Sequence, residues 1–401
     1  MHMRRFLNRS APPHIVTLVL MAGLAALSLN IFLPSLPGMA MHFGVEYHVM
    51  QLSVSAYLAI SAFLQLLIGP ISDRFGRRRV ALAVLGLFLA ATLGTLLAPS
   101  AEVFLAFRLV QAVVATNFVI SRAVVRDMVP EAEAASMIGY VTMGMSLVPM
   151  IGPVIGGVLD EAFGWQANFA LLAVLGLVVT ALVWADLGET TRPGGMGFGD
   201  QLRAYPELLR SQRFWGYSLS TALASGLFFA YLGGAPFVGT NVYHLSPSQL
   251  GGYFALPAFG YAVGNFISGR FAGRVGIDRM VLAGTVTATA ALLVALLTNL
   301  AGVAHPLMFF SMVGITGMGN GLALPSSNAG MMSVRPELAG TASGLGATLT
   351  VGGGAALSAL SGALLGPESG ALPLILLMLT SSLLSIGAIL WVMRRRRQIG
   401  V

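Results

Sequence analysis

The sequence contains no cysteine and no lysine, and only 9% of its 401 residues are charged. Without cysteine, the chain has no disulfide framework and no thiolate metal site. Without lysine, it cannot form a nucleotide-binding P-loop, so this chain does not hydrolyse ATP to drive its work. Because a soluble domain carries about 25% charged residues, a water-soluble fold is excluded.

Hydrophobic residues make up 56% of the sequence and are gathered in long runs. A helix needs about 20 apolar residues to cross a bilayer, and the runs are too long for the strands of a membrane barrel. The sequence therefore predicts an all-α membrane protein with twelve transmembrane helices. Their approximate positions are 14–36, 50–71, 80–98, 101–125, 134–159, 165–186, 213–239, 249–269, 279–298, 303–329, 338–365 and 371–393.

All 22 basic residues are arginine, and their positions predict the topology. With the N-terminus inside, every arginine except Arg108 lies in an inner segment or at the inner end of a span. This is the positive-inside pattern, which places both termini in the cytoplasm. The formal net charge of +7 is then explained by the bilayer, so no nucleic-acid partner is expected.

A polar segment at 187–212 divides the twelve spans into two sets of six. We expect an N-terminal six-helix bundle at 1–186, a cytoplasmic linker loop at 187–212 and a C-terminal six-helix bundle at 213–401. An offset of 200 residues aligns two arginine-rich loops, one from each half, which predicts a duplication. The aligned residues are Gly69, Arg74, Gly76 and Arg79 with Gly269, Arg274, Gly276 and Arg279.

The loop after the second span contains more than topology requires. Positive-inside anchoring explains Arg74 and Arg77, but it does not explain Asp73 or the glycines Gly69 and Gly76. Asp73 could cap a helix N-terminus or pair with an arginine, and the glycines would allow close approach and tight turning. Since such a contact can break and reform, we interpret the loop as a conformational switch. Arg126 and Asp127, at the inner end of the fourth span, are assigned to the same switch.

The fourth span carries an arginine within the membrane. The spacing of Arg108, Gln111, Arg122 and Arg126 predicts that they share one helical face. An arginine at this depth is costly, so Arg108 should face the bundle interior or a wet cavity. We predict a substrate or coupling site around it; the alternative is an arginine that caps backbone carbonyls or binds a polar group of a neighbouring helix. Each further candidate has ordinary interior packing as its alternative. The predicted site residues are Arg108, Gln111, Asn30, Tyr57, Asn117 and Asn265.

The fifth span combines glycine with proline, which predicts a kinked helix that a neighbour can approach closely. The residues concerned are Gly144, Pro149, Gly152, Pro153, Gly156 and Gly157.

These motifs resemble those of a known family. The loop from Gly69 to Arg79 resembles the signature loop of the major facilitator superfamily, and the fifth span resembles the antiporter motif of its drug exporters. Residues 28–39, Arg108, Gln111 and residues 122–127 look like the bicyclomycin and chloramphenicol resistance branch (Bcr/CflA) of its drug:proton antiporters. The resemblance implies the major facilitator fold and a place in a bacterial inner membrane. It also implies export of small amphipathic drugs in exchange for protons. From the sequence itself we expect no cofactor and no metal, and a monomer is the default.

One departure from the family pattern concerns the proton. Many relatives carry an aspartate where this sequence has Asn30, which cannot titrate, and all 15 acidic residues lie in loops or near span ends. Three accounts remain open: Asp73 or Asp127 titrates during switching, the substrate carries the proton, or transport is not proton-coupled. We hypothesise that Arg108 gives the outer cavity an uncompensated positive charge, which favours neutral or anionic compounds.

The principal competing function is also transport. The chain could export or conduct a small metabolite, such as a sugar, an amino acid or an organic anion, without protons. An enzyme is not expected, because no catalytic motif is present. A sensor is not expected either, because the longest inner segment, 187–212, is too short for an output domain.

Overall fold

The computed structural model describes residue 7 and residues 13–129, 131–191, 206–303, 305–335 and 338–399. Within these ranges the chain forms twelve long helices and no β-strand. The first six are α1 (Ile15–Phe43), α2 (Tyr47–Phe75), α3 (Arg77–Leu96), α4 (Ala101–Met128), α5 (Glu131–Phe163) and α6 (Gln166–Asp186). The second six are α7 (Gln212–Val242), α8 (Pro247–Val275), α9 (Ile277–Leu300), α10 (Pro306–Met332), α11 (Ala339–Leu364) and α12 (Leu372–Ile399).

Ten of these helices are long and apolar enough to cross a membrane. The other two, α5 and α8, contain several glycines and prolines, but their 33 and 29 residues exceed the length that a bilayer requires. Each of the twelve spans predicted from the sequence coincides with one of the helices. The predicted all-α class is therefore confirmed.

Several helices are longer than the spans predicted for them, and α1 and α5 are two examples. Helix α1, expected to end near residue 36, passes through a short 3₁₀ turn at Leu33–Ser35 and continues to Phe43. It ends at Gly44, whose positive φ of 64° suits glycine. Helix α5, expected over 134–159, extends from Glu131 to Phe163, because its polar end residues continue the helix beyond the apolar run.

Two equivalent glycines separate helices in the two halves. Gly76 lies between α2 and α3 with φ 94°, and Gly276 lies between α8 and α9 with φ 90°. Side chains rarely adopt this conformation, so both turns depend on glycine. The pair is separated by the 200 residues of the predicted duplication. Helix α6 ends at Asp186 and α7 begins at Gln212, and residues 192–205 of the predicted linker lie outside the described ranges.

The two ends of the helix bundle differ in charge and in how the halves meet. We call the end with the α2–α3 loop, the α8–α9 loop and the end of α12 the arginine-rich face, and the opposite end the arginine-free face. At the arginine-free face, the Tyr47 hydroxyl donates to the Gly233 carbonyl at 2.7 Å, and the Ser246 hydroxyl donates to Glu161 at 3.1 Å. The hydrogen bonds that join the halves within the described ranges all lie at this face. The halves are therefore closed against each other there.

Candidate functional site

Arg108 is wholly buried where α1, α2 and α4 meet. Its Nε donates to the Ser53 carbonyl at 3.2 Å, and its Nη2 donates to the Ser28 carbonyl at 2.7 Å. Its Nη1 donates to the Ser28 hydroxyl at 3.1 Å and to Gln111 Oε1 at 2.9 Å. Gln111 in turn donates to the Thr92 hydroxyl on α3 at 2.8 Å. Two predicted site residues thus belong to one hydrogen-bonded network whose acceptors are all neutral.

Two aromatic rings complete the surroundings of the guanidinium group. Its central carbon lies 4.1 Å from the ring centre of Tyr57 and 4.5 Å from that of Phe32. The Tyr57 hydroxyl donates to the Ser28 hydroxyl at 3.4 Å, which links the ring to the same network. Cation–π attraction and carbonyl dipoles therefore stabilise this buried charge. No ion pair joins Arg108 to a carboxylate in the part of the chain that the structure describes. We call Arg108 with Ser28, Phe32, Ser53, Tyr57 and Gln111 the Arg108 cluster.

Helix α4 does not present one polar face, so that prediction is wrong. Residues Ala112–Thr116 form a 3₁₀ segment between two α-helical segments. A 3₁₀ helix turns about 120° per residue and an α-helix about 100°. Five residues therefore rotate the second segment by about 100° relative to the expected phase. Arg108 is wholly buried, whereas Arg126, beyond the 3₁₀ segment, is exposed.

Asn30 lies near the Arg108 cluster along α1 but contacts a different helix. It ends the first α-helical segment of α1, and its Nδ2 donates back to the Ala26 carbonyl at 2.7 Å. Its side chain packs beside Gly152 of α5, and its Oδ1 is buried without a hydrogen-bond partner within the described residues. The structure therefore places Asn30 against α5 and shows no hydrogen bond between it and Arg108.

The remaining predicted amides lie apart from each other. Asn117, which follows the 3₁₀ segment of α4, is wholly buried, and both polar atoms of its side chain lack a partner among the described residues. Asn265 lies on α8 in the second half, where its Nδ2 donates to the Tyr261 carbonyl at 3.0 Å. The structure thus brings Gln111 and Tyr57 to Arg108, and it leaves Asn265 in the other bundle.

The predicted switch is built around Arg77, the first residue of α3. Its guanidinium group forms ion pairs with Asp73 on α2 and with Asp127 on α4, the latter through Nε at 3.1 Å. It also donates to the Ser72 hydroxyl. Arg77 therefore fastens α2, α3 and α4 together, and Asp73 is a partner of this arginine rather than a helix cap. Arg74 is exposed and lies against the ring of Phe75, 5.6 Å from its centre.

The segment after α6 holds the same loop from its other side. The backbone N–H of Arg77 donates to Glu189 Oε1 at 2.8 Å and to the Thr191 hydroxyl at 3.1 Å. Burial works to raise the pKa of Glu189, but hydrogen bonds from Thr191 and Arg77 outweigh it and hold the pKa below its usual value. A Cβ on Gly76 would overlap the Glu189 carboxylate, whereas one on Gly69 would meet no atom within 4 Å. Of these two glycines, Gly76 is thus the one at a close approach in this conformation.

The equivalent loop of the second half is fastened with the charges exchanged. Asp278, near the start of α9, accepts from the Tyr217 hydroxyl of α7 at 2.6 Å. Its other oxygen accepts from Nη1 of Arg396, near the end of α12, at 2.9 Å. In the first half, one arginine pairs with two acidic residues. In the second half, one aspartate pairs with an arginine and accepts a hydrogen bond from a tyrosine.

The glycines of α5 allow three close helix contacts. A Cβ on Gly152 would lie 3.1 Å from Leu27 of α1, and one on Gly156 would overlap the Ile31 carbonyl of the same helix. A Cβ on Gly157 would overlap the Pro247 carbonyl of α8, in the other half. The surroundings of Gly144 lie outside the described side chains.

One of the two prolines of α5, Pro153, takes part in the contact with α8. Pro149 and Pro153 both lie inside the helix. A Cβ on Gly251 of α8 would overlap the Pro153 carbonyl. The predicted motif therefore serves packing within the first half on one side and closure against the second half on the other.

The sequence matches one family over most of its length. A model of the Major Facilitator Superfamily covers residues 18–359 of the chain. The chain belongs to the Major Facilitator Superfamily. This is a family of membrane transporters and not of enzymes, so the protein is a multi-pass membrane transporter.

Several facilitators of known sequence resemble the chain. The uncharacterized MFS-type transporter YdgK of Bacillus subtilis is 30% identical over 338 residues, which cover 81% of this chain and 82% of that protein. The chloramphenicol resistance protein of Pseudomonas aeruginosa is 34% identical over 256 residues, which cover 63% of this chain and 59% of that protein. The multidrug transporter MdfA of Yersinia pestis is 30% identical over 280 residues, which cover 69% of this chain and 68% of that protein. The predicted resemblance to the drug-resistance branch is confirmed by these relatives.

Solved structures of facilitators share the fold. A peptide transporter POT in complex with sulfate superposes with a TM-score of 0.78 at 14% identity, covering 98% of this chain and 97% of that one. A bacterial homolog to the human lysosomal transporter Spinster, inward-facing and occupied, gives 0.75 at 18% identity and 96% of both chains. The predicted facilitator fold, with two bundles of six helices, is confirmed.

One residue that joins the two halves of this facilitator is missing from the sequence-based predictions. Gln51, on α2 at the arginine-free face, is buried, and its Nε2 donates to the carbonyl and hydroxyl of Ser358 on α11 at 2.8 and 2.9 Å. A Cβ on Gly233 or Gly362 would come within 2.7 Å of the Gln51 amide, so the side chain fills a slot between α7 and α11. The available signal was a lone amide early in an apolar span, and nothing in the sequence names its partner.

Proposed function

We propose that this facilitator exports small amphipathic drugs, of the phenicol and bicyclomycin kind, by alternating access between its two halves. The observation that carries this proposal is the one-sided closure: the hydrogen bonds between the halves gather at the arginine-free face. Helices that rock about a central site must close one face while the other opens. The drug class is supported by the names of the chloramphenicol and multidrug relatives.

The positive-inside rule assigns the arginine-rich face to the cytoplasm of a bacterial cell, with both termini on that side. The transporter then lies in the inner membrane, and the conformation described here is closed toward the outside. In this assignment the Arg77 contacts lie on the cytoplasmic side. They hold α2, α3 and α4 together so that the first half moves as a unit.

The Arg108 cluster supports a preference of the transporter for substrates without a positive charge. Its arginine is stabilised by neutral dipoles and two rings, so the positive charge is not cancelled by a carboxylate in the described chain. A cationic substrate that approaches when the outer face opens meets an uncompensated like charge, whereas a neutral or anionic one does not. We therefore propose neutral and anionic amphipathic compounds as the preferred cargo.

Exchange against protons is part of this proposal, and Asn30 does not supply the carrier. Asp186 is buried, but it accepts hydrogen bonds from the backbones of Leu7 and His14 and from the hydroxyl of Thr17, which suits a structural carboxylate. We propose the two ion-pair partners of Arg77, Asp73 and Asp127, as the groups that exchange the proton during switching.

The test measures accumulation of labelled chloramphenicol in a drug-sensitive bacterium that lacks its main exporters. Expression of the protein should lower accumulation, and a protonophore should abolish the effect. Unchanged accumulation would contradict drug export and favour a metabolite as cargo. Lowered accumulation that survives the protonophore would contradict proton exchange.

Variants at Arg108 test the charge preference in the same cells. Arg108→Ala should weaken chloramphenicol export and raise export of the cation ethidium relative to it, because the repelling charge is gone. Arg270→Ala, at an exposed arginine of α8, is the matched control and should change neither. Better export of ethidium than of chloramphenicol by the unmodified protein would refute the preference, as would an Arg108→Ala variant that alters neither compound.

A further inference from the structure

Four arginines surround a cleft of about 660 Å³ at the arginine-rich face of the second half. The cleft lies between the start of α7, the segment after α10 and the end of α12. The arginines are Arg210, Arg213, Arg335 and Arg395, and among the described residues one acid, Glu207, lines the same cleft. The described lining thus carries a net charge of +3.

The described residues of this cleft leave one guanidinium N–H without a partner. Glu207 pairs with Arg335 through Nε at 3.0 Å. Arg395 donates to Gln398, a neutral residue, at 3.4 Å. The Nε of Arg213 is buried and has no hydrogen-bond partner in the described part of the chain. A buried guanidinium N–H without a partner is costly, so the cleft is suited to an anion with several acceptor oxygens.

Tryptophans place the cleft at the level of the lipid headgroups. Trp215, two residues after Arg213, donates through its indole N–H to the Leu209 carbonyl at 2.7 Å. Trp391 lies one turn before Arg395 on α12 and is 41% exposed. Tryptophan is enriched where the apolar interior of a membrane meets the headgroups. Along their helices, Arg213 and Arg395 lie on the arginine-rich side of these two rings.

Apolar surface continues from the cleft along the same two helices. A Cβ on Gly216 would overlap the Val392 side chain, so α7 and α12 touch directly beside the cleft. Farther into the membrane, Leu219 on α7 and Leu390 on α12 are 40% and 48% exposed. An amphiphile with a charged head in the cleft would lay its chains on this surface. A free anion would leave that surface unused.

We propose that this cleft binds the phosphodiester headgroup of an anionic phospholipid from the adjacent leaflet. Guanidinium groups match phosphate oxygens in geometry and charge, and basic pockets between membrane helices are known to hold anionic headgroups. The lipid would connect the start of α7 with the segment after α10 and the end of α12. Transport of a substrate is not required for this binding.

The test is native mass spectrometry of the purified full chain with defined lipids. The probes are phosphatidylglycerol, phosphatidylcholine with the same acyl chains, and inorganic phosphate. Phosphatidylglycerol should be retained most strongly. The double variant Arg213→Gln/Arg395→Gln should bind it about 25-fold more weakly, since each arginine near an anionic surface contributes roughly fivefold. Arg270→Gln removes one exposed arginine of the same face outside the cleft, and it should bind as the unmodified protein does.

Thermal unfolding in detergent gives a second readout with the same probes. Phosphatidylglycerol should raise the midpoint of the unmodified protein and of Arg270→Gln, but not that of the double variant. Equal effects of phosphatidylglycerol and phosphatidylcholine would overturn the proposal, because the charge would not matter. Equal stabilisation by inorganic phosphate alone would overturn the lipid assignment. A folded double variant that retains phosphatidylglycerol at full strength would overturn the site.

Discussion

Adjacent glycines on α5 offer a paired test of how the halves close. Gly156 faces α1 in its own half, and Gly157 faces α8 in the other half. An added Cβ at Gly156 would overlap the carbonyl oxygen of Ile31, and one at Gly157 would overlap that of Pro247, with the deeper overlap at Gly156. The same change to alanine therefore forces a carbonyl group to move at each of the two interfaces.

The size of the effect follows from these distances. Ordinary contacts of a Cβ begin at 3.4 Å, and both carbonyl oxygens lie far inside this limit, so the backbone must move. Overpacking of this kind costs about 1–3 kcal/mol. In Gly157→Ala the cost falls on the closed arginine-free face and is relieved when that face opens. The ratio of open to closed molecules should therefore rise about 5- to 150-fold. In Gly156→Ala the cost falls on the first half in both states and lowers its stability.

Because the sequence has no cysteine, single cysteines can be introduced for spin labels without background. Met41 at the end of α1 and Leu300 at the end of α9 are 77% and 65% exposed, and both lie at the arginine-free face. Pulsed electron paramagnetic resonance should show longer Met41–Leu300 distances in Gly157→Ala. Gly156→Ala should keep the distance distribution and lose thermal stability. The reasoning is refuted if Gly157→Ala leaves the distances unchanged, or if Gly156→Ala lengthens them equally.

Three further predictions concern stability in detergent, measured as thermal unfolding midpoints. Gly76→Ala should cost at least about 1–2 kcal/mol, because its φ is positive and its Cβ would overlap Glu189. The control Gly69→Ala should be harmless, and an equal loss in both would contradict the argument. Asn117→Leu should raise the midpoint, because it removes a buried amide whose two unpaired groups cost about 1–3 kcal/mol each; a lower midpoint would mean that the amide has a partner. The lowered pKa of Glu189 stabilises the fold above its usual value of 4.5, and this contribution is lost as the pH falls through the folded value. Glu189→Gln should therefore reduce the difference in midpoint between pH 7 and pH 4, and an unchanged difference would refute this role.

The sequence predicted those features that follow from the bilayer as a solvent. Apolar runs of about 20 residues must become helices in lipid, so all twelve spans were predictable. The cost of a charge in the membrane predicted that Arg108 is buried, and the residues of the α2–α3 loop predicted a tight turn at Gly76. These arguments concern one residue or one segment at a time, which is the information that a sequence contains.

Features that depend on the pairing of helices were not predictable in this way. The prediction that Arg108 and Arg126 share one face was wrong because a 3₁₀ segment changes the helical phase. That segment contains no proline or glycine that would have indicated it. Asn30 was expected at the depth of Arg108, but its direction depends on the break that follows it in α1. The bond from Gln51 to Ser358 joins residues 307 apart. Such a contact becomes visible only once both halves are folded.

The exchanged charges of the two equivalent loops bear on how the chain matures during synthesis. In the first half, the partners of Arg77 among the described residues all precede residue 192, so this loop can be secured before the second half has been made. In the second half, Asp278 cannot pair with Arg396 until the end of α12, 118 residues later, has been synthesised. Since chains emerge from the ribosome N-terminal end first, the first bundle can mature early. The ion pair between Asp278 and Arg396 in the second bundle can form only as one of the last steps of membrane insertion.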